Sequence, residues 1–283
     1  MELKKVLIVA NGQKEEAPSV ASSIAYYLNK HNIPTETVFT EDSRDNITIA
    51  PKTSLLISIG GDGTVLSCAR MVQDLGIPIL AVNLGTFGYI TEISCNEWDS
   101  ALDDLMAGRE KLSRRLMLRV SVIRDGVKVF HSSGLNEAVV SSTGISKIVR
   151  LDLAVNRTKA GTFRSDGLIV ATPTGSTGYS LAAGGPIVDS EMAAFILTPI
   201  CPFTLSNRPL VLGANEVITI RVDEGQRTGI MLTVDGQIDY PLVEGDSIII
   251  EKCRSRALLV ASNKRNYTEV LRAKLNWSGD FHA

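Results

Sequence analysis

Histidine is scarce: the 283-residue chain has three, His31, His131 and His282. His31 lies in a polar helix-end stretch, His282 in the tail and His131 in a strand-like segment. None is placed as a catalytic base, so a general base is expected to be a carboxylate. The four cysteines, Cys68, Cys95, Cys201 and Cys253, stand alone with no Cys-x-x-Cys pair. Each is expected to be a free thiol, buried as a small apolar residue, in a chain too long to need disulfides. An excess of positive charge is also missing: 29 Lys and Arg against 31 Asp and Glu give a net charge of −2. No nucleic-acid partner is expected on that balance, and Arg114-Arg115 with Arg119 is read as a solvated surface. No apolar run approaches the roughly 18 residues of a membrane span. Val6-Leu7-Ile8-Val9-Ala10 is too short for a signal peptide and reads as a buried strand, so a cytoplasmic location is expected. Internal repeats and low-complexity segments are absent as well.

What is present is ordinary globular composition, 44% hydrophobic and 21% charged, in a chain long enough to bury a substantial core. Strand and helix signals alternate over the first 110 or so residues. Segments 5–10, 35–39, 54–59 and 77–83 read as strands. Segment 19–30 reads as an amphipathic helix with Val20, Ile24, Tyr27 and Leu28 on one face. Helices are also expected over 64–75, stopped by Gly76, and over 96–107, with Asn96 as its N-cap. That alternation predicts a doubly wound parallel sheet. Near Leu112 the character changes. Segment 116–124, the Asp125-Gly126 pair and 127–133 predict a hairpin. Further β segments are expected at 138–142, 147–156, 168–171, 209–212, 217–222, 230–234 and 247–251, before a last helix over 268–275. The fold class is therefore α/β plus β: an N-terminal doubly wound domain over 1–112 and a mostly antiparallel, sandwich-like domain over 113–254.

Chemistry concentrates in four blocks. The apolar strand Leu55-Leu56-Ile57-Ser58-Ile59 runs into Gly60-Gly61-Asp62-Gly63-Thr64. Its glycines are expected to supply positive φ and close approach of a ligand to the main chain. Amides at a helix N-terminus suit a phosphate, and the carboxyl end of a parallel strand is where open α/β sheets bind ligands. Asp62 would repel an anion. It makes sense as an acceptor for the proton of an attacking hydroxyl, as a partner for Mg²⁺ beside phosphates, or more plainly as a helix cap. Without a Gly-Lys-Ser/Thr ending, this is not a P-loop. The second block sets Asn136 beside Glu137, either an ordinary turn or an amide–carboxylate fork for the vicinal hydroxyls of a ribose. The third, 163–186, is dense in glycine and small hydroxyl residues that would suit a nucleotide, with Tyr179 as a stacking face. The fourth, Asp235-Gly236-Gln237, reads as a hairpin turn.

These four blocks, in this order, resemble the bacterial NAD kinase family, whose marks are Gly-Gly-Asp-Gly-Thr, an Asn-Glu pair, a Thr-Pro-x-Gly-Ser/Thr block followed by Gly-Gly-Pro, and a later Asp-Gly-Gln. The resemblance spans about 3–272. It implies Mg²⁺-dependent transfer of the terminal phosphate of ATP, or of inorganic polyphosphate, to the 2′-hydroxyl of the adenosine ribose of NAD. It further implies a homodimer or homotetramer, and a C-terminal segment, 255–283, that returns to the first domain. By that resemblance Asp62 is the proton acceptor with Gly63 beside it, and Gly60, Gly61, Gly63 and Thr64 form the phosphate-binding loop. Asn136, Glu137, Lys147, Arg164, Asp166 and Gln237 bind NAD, with Thr177, Gly178, Tyr179, Ser180, Leu181 and Ala182. No metal ligand is assigned among the side chains beyond Asp62, because Mg²⁺ would arrive on ATP. Gly178 stands where the family usually has alanine, and the loop 84–90 departs from the family pattern at several positions. Kinases of lipids or sugar phosphates share the Gly-Gly-Asp-Gly element but lack the third block. A nucleotide sensor without catalysis would have no use for Asp62.

Overall fold

The computed structural model describes residues 2–41, 47–85, 88–144, 147–204 and 206–275. Thr86 and Phe87 of the 84–90 loop, His282, and the end of the returning segment 255–283 lie outside the described residues. Two compact units are present: residues 1–114 with 257–283, and residues 115–256.

The chain runs β1 (Val6–Asn11), α1 (Ala17–Lys30), β2 (Thr35–Thr40), β3 (Leu55–Gly60), α2 (Asp62–Val72), β4 (Ile79–Asn83), β5 (Ile93–Ser94), α3 (Trp98–Met106) and β6 (Lys111–Arg115). The second unit follows with β7 (Leu118–Arg124), β8 (Val127–Gly134), β9 (Glu137–Ser142), β10 (Val149–Val155), β11 (Thr158–Ser165) and β12 (Gly167–Ala171). After a 3₁₀ turn at Thr174–Thr177 come α4 (Tyr179–Ala182), β13 (Ala194–Ile200), β14 (Leu210–Gly213), β15 (Ile218–Val222), β16 (Ile230–Val234), β17 (Ile238–Leu242) and β18 (Ser247–Lys252). The chain then re-enters the first unit as β19 (Ala257–Ala261) and α5 (Tyr267–Lys274).

In the first unit the sheet order is β2-β1-β3-β4-β19-β6. Every ladder from β2 to β19 is parallel, and its inner strands are short apolar runs, as in parallel sheets covered on both faces. β1, β3 and β4 are buried almost throughout. The apolar stripe of α1, Ala17, Ala21, Ile24 and Leu28, packs into the same core; Val20 and Tyr27 of the expected face sit half-buried at its margin. α5 opens with a reciprocal Asn266–Glu269 capping box.

The second unit is a sandwich of two six-stranded sheets, β11-β10-β15-β18-β7-β8 and β14-β13-β12-β9-β16-β17. Their facing sides share one core, with Val120, Val140, Val170, Phe195, Ile220 and Ile250 among its members. The central strands β9, β12 and β13 are buried on the opposite side too, where Val139, Ile169, Ile196 and Val188 form a second cluster. The expected Asp125-Gly126 hairpin is present: both residues take positive φ, 50° and 78°, as a two-residue hairpin turn needs.

Several local expectations fail for physical reasons. α3 starts at Trp98, and Asn96 does not cap it. Glu97 takes the N-cap position, but its carboxylate turns to Arg265 at 2.8 and 3.0 Å and to the Ser94 amide. Arg115 is buried, 3% exposed, although the Arg114-Arg115 pair reads as solvated. Cys68 and Cys253 are buried, but Cys95 is half-buried and Cys201 is exposed at the end of β13 with φ 44°. Strands β5, β6, β11, β13, β17 and β19 carry no strand reading in the sequence. β11 is an edge strand, mostly exposed. It is held to β10 by the Asn156-Arg157 turn, both at positive φ. β13 contains Pro199, which normally speaks against an interior strand; Pro199 sits past Leu197, where the pairing with β14 has ended.

Candidate active site

In the first unit β3 ends at Gly60, and Asp62 is the first residue of α2, after Gly61 as N-cap. None of Gly60, Gly61 and Gly63 adopts positive φ, so the expected conformational reason for the glycines is wrong here. At Gly60 the reason is space: a Cβ would lie 2.3 Å from Thr64 Oγ1 and 3.3 Å from Asn11 Cβ. At Gly61 nothing lies within 4 Å of a Cβ position, which leaves the main chain open to approach.

Asp62 does not cap its helix. Its carboxylate instead accepts from the segment after β4. Oδ2 takes the Tyr89 amide at 2.9 Å, and Oδ1 takes the Ile90 amide at 3.3 Å, the Thr91 amide at 3.1 Å and the Thr91 hydroxyl at 2.9 Å. Gly88 permits this approach, since a Cβ there would stand 1.9 Å from Asp62 Oδ1. The described part of the 84–90 loop thus delivers its amides to Asp62.

In the second unit the Asn136–Glu137 segment is clamped from two sides. Asp235, 5% exposed, sits in the β16–β17 turn with φ 53°, followed by Gly236 at 66°. Its carboxylate accepts the amides of Leu135 at 2.9 Å, Asn136 at 2.8 Å and Glu137 at 3.1 Å. From the other side the Thr172 amide donates to the Asn136 carbonyl at 2.7 Å, and the Thr172 hydroxyl donates to the Leu135 carbonyl. Gly175 closes over the same segment, where a Cβ would be 2.2 Å from the Asn136 carbonyl oxygen. Gly175→Ala therefore has to push main chain and not a side chain. A loss of about 2–3 kcal/mol is expected in urea unfolding, near the upper end for overpacking, with weakened NAD binding by calorimetry.

This clamp leaves acceptors unspent. Asn136 Oδ1, Glu137 Oε2 and Thr174 Oγ1 are buried without a hydrogen-bond partner. Orphaned buried polar atoms cost about 1–3 kcal/mol each, and clustering of this kind is a mark of ligand sites. Glu137 is 7% exposed. Burial, followed by the neighbouring Asp235 charge, pushes its carboxyl up from 4.5 to about 8, so near neutrality it is largely protonated and able to donate. Because the folded value exceeds the unfolded one, the folded state holds the extra proton between about 4.5 and about 8. This contribution to stability is full below the lower value and is lost as pH rises through the upper one. Urea unfolding of the wild type is expected to lose on the order of a few kcal/mol across that window from this group. Glu137→Gln, which stays neutral, should flatten that part of the profile.

The remaining predicted residues divide. Gly178 joins Asn136 and Glu137: a Cβ there would lie 3.2 Å from Glu137 Oε2 and 3.7 Å from Asn136 Nδ2. Thr177 and α4 continue directly from it, with Tyr179 46% exposed and Leu181 and Ala182 on the same short helix. Gln237 follows Asp235 by two residues in the hairpin turn, where its amide donates to the Val234 carbonyl at 3.0 Å. Ser180, by contrast, is fully buried and bonded to the Thr198 hydroxyl at 2.8 Å. Ser176 is spent on Pro173 and Val188. Much of the hydroxyl density of 163–186 therefore holds its own turn together, contrary to the expectation that it serves a nucleotide. Lys147, Arg164 and Asp166 lie elsewhere. The register pairs Glu137 with Ala171 and Ser141 with Gly167, so Asp166 sits at the far end of β9 and β12, roughly 13 Å along the strand from Glu137. Sequence reasoning passed over Thr91, took Thr172 and Thr174 only as members of the 163–186 block, and read Asp235 only as a turn residue.

In the first unit a strand ends in glycines and an acid, the kind of place where open α/β sheets bind nucleotides; the second unit, by itself, holds buried polar atoms open to a ligand. The profile described as the ATP-NAD kinase N-terminal domain matches residues 46–110, and that described as the ATP-NAD kinase C-terminal domain matches residues 135–262. The chain is 40% identical over 281 residues to the NAD kinase of Treponema denticola, covering 98% of each. It is 39% identical over 286 residues to that of Citrifermentans bemidjiense, covering 97% of this chain and 99% of the relative. Among solved structures it resembles an NAD kinase from Archaeoglobus fulgidus in complex with ATP, with a TM-score of 0.73 and 27% identity over 95% of this chain and 99% of the other. A yeast NADH kinase complexed with NADH shares the fold, with a TM-score of 0.86 at 24% identity over 99% of this chain and 89% of the other. The chain belongs to the NAD kinase family.

Proposed function

We propose that this chain transfers the terminal phosphate of ATP to the 2′-hydroxyl of the adenosine ribose of NAD, giving NADP. The observation that carries the reading is the set of unspent buried acceptors, Asn136 Oδ1, Glu137 Oε2 and Thr174 Oγ1, which fits a ligand rich in hydroxyl and amino donors. Glu137, protonated near neutrality, adds a donor for a ribose oxygen or an adenine nitrogen. Gly178, Tyr179 and Gln237 complete this side of the dinucleotide site.

Asp62 takes the proton of the 2′-hydroxyl. Its Oδ1 already accepts three hydrogen bonds and Oδ2 one, so Oδ2 has the lone pair for that proton. The freed oxygen attacks the terminal phosphorus, the bond from that phosphorus to the bridging oxygen breaks, and ADP leaves with the electron pair. The positive end of the α2 dipole, behind Gly60, Gly61, Gly63 and Thr64, favours the phosphates. A Mg²⁺ would be held mainly by the donor's phosphates, with Asp62 as its protein neighbour. When bound, that cation offsets phosphate charge.

Lys147, Arg164 and Asp166 are removed from Asn136 and Glu137 along β9. A homodimer or homotetramer reconciles the two clusters, each copy lending its far-end residues to a neighbour's dinucleotide. A cytoplasmic location goes with this reading. With purified protein, Mg²⁺, ATP and NAD, an NADP-specific dehydrogenase should report NADP formation. NADH as acceptor and polyphosphate as donor define the range. Tight NAD binding without NADP from any donor would leave a sensor, and no NAD binding would point to another hydroxyl substrate.

A further inference from the structure

The segment that delivers its amides to Asp62 is held by little regular structure of its own. Tyr89, Ile90 and Thr91 bond the carboxylate, but residues 88–92 belong to no helix or strand. The strand that follows, β5, has two residues, paired with β4 as Val82↔Ile93 and Asn83↔Ser94. So short a ladder fixes a segment poorly.

The chain after β19 supplies the missing restraint. The Arg265 guanidinium spans β5. Its Nη1 donates to the Glu92 carbonyl at 3.3 Å and to one Glu97 carboxylate oxygen at 2.8 Å, and its Nη2 donates to the other at 3.0 Å. One planar group thus ties the residue before β5 to the N-cap residue of α3. The same carboxylate takes the Ser94 amide at 3.1 Å, and Lys264 Nζ lies 3.5 Å from it. The Ser262 amide donates to the Glu92 carboxylate at 3.2 Å. At the other end of the segment, the Lys274 ammonium lies over the Tyr89 ring at 5.8 Å.

A guanidinium fork fixes orientation as well as distance, which an ammonium does not. The Glu97 side chain is 14% exposed, so the pair is only partly screened by water and salt. The Arg265 hydrogen bond, working against burial, holds the Glu97 carboxyl down at about 2, and the pair stays ionised through the neutral range. Arg265 is anchored in turn. Asn266 beside it caps α5, its amide donating to the Glu269 carboxylate at 2.8 Å and its side chain accepting the Glu269 amide at 2.9 Å. Glu92 follows Thr91 directly. Any shift of the Glu92 carbonyl therefore moves the amide and hydroxyl that Thr91 places on Asp62 Oδ1.

We propose that Arg265 is a positioning residue for the transfer: it fixes the 92–97 bend and, through it, the donors that aim the Asp62 carboxylate. The role rests on Asp62 as the proton acceptor. Misplacing a reacting group by about 1 Å can cost on the order of a hundredfold. Arg265→Gln should therefore lower kcat about ten- to hundredfold and leave the KM for NAD within about threefold. In the Asp62→Asn background the same change should cost less than about threefold, because the group it aims is gone. A readout apart from turnover is hydrogen exchange of the full chain without substrates. Residues 88–91 should exchange about tenfold faster in Arg265→Gln, with β1 and β3 unchanged. Glu97→Gln breaks the same contact from its other side and should act in the same direction, which keeps the test open if Arg265→Gln does not fold. Unchanged exchange at 88–91, faster exchange throughout the unit, or equal losses of kcat in both backgrounds would overturn the proposal while wild type still forms NADP. A wild type that forms no NADP would remove the proposed reaction, and the role of Arg265 with it.

Discussion

Asp62→Asn is expected to bind NAD within a few-fold of wild type and to turn it over about 10²–10⁴ times more slowly, the span for a lost general base. An asparagine amide has the shape of the carboxylate but cannot take the 2′-hydroxyl proton. The Oδ1 position would keep its three donors, Ile90 and Thr91 through their amides and Thr91 through its hydroxyl. The new NH₂ would meet the Tyr89 amide, which now donates to Oδ2 at 2.9 Å. Two donors face each other there, at a cost of about 1 kcal/mol, so a slightly lower Tm should accompany the loss of turnover. Calorimetry with NAD and steady-state rates on one preparation separate the two effects. Near-normal turnover would remove the proton-acceptor role from Asp62 and leave it as the anchor of the 88–91 segment.

Asp235→Ala should cause the largest loss of stability, about 3–5 kcal/mol in urea unfolding, with NAD affinity down by tenfold or more. The carboxylate answers three amides at once, and Leu135 and Glu137 are buried, so water cannot readily replace it. Removing it also removes the charge that helps hold the Glu137 carboxyl high, so that group should titrate closer to its ordinary range. Asp235→Asn should fall between, because one oxygen can still serve Asn136 and Glu137 while the amide confronts the Leu135 N–H. An alanine variant as stable as wild type, with unchanged NAD affinity, would show that the clamp is incidental to the site.

The parts legible in the sequence were those set by local pattern. The buried run ending at Gly60 gave β3 and the position of Asp62, alternation gave the parallel sheet, and Asp125-Gly126 gave its hairpin. The contacts that complete the candidate site are long-range and leave no local trace. Asp235 reaches back 98 to 100 residues to its three amides, and Thr91 meets Asp62 from 29 residues away. The same limit explains why the hydroxyls of 163–186 read as suited to a nucleotide: the bonds of Ser176 to Val188 and of Ser180 to Thr198, which hold the fold itself, are long-range. β11 stayed hidden because an edge strand needs no apolar alternation, and β13 because Pro199 reads as a breaker until the end of β14 is known. Asn136 and Glu137 were visible as a pair, but the burial that raises the Glu137 carboxyl was not.

The most direct measurement is ³¹P and ¹H NMR of the reaction of the wild-type chain with NAD, ATP and Mg²⁺. A new phosphomonoester resonance coupled to the 2′ proton of the adenosine ribose, growing as ATP becomes ADP and absent with Asp62→Asn, is the expected result. A phosphate appearing on any other hydroxyl, or ATP hydrolysed with NAD unchanged, would contradict it.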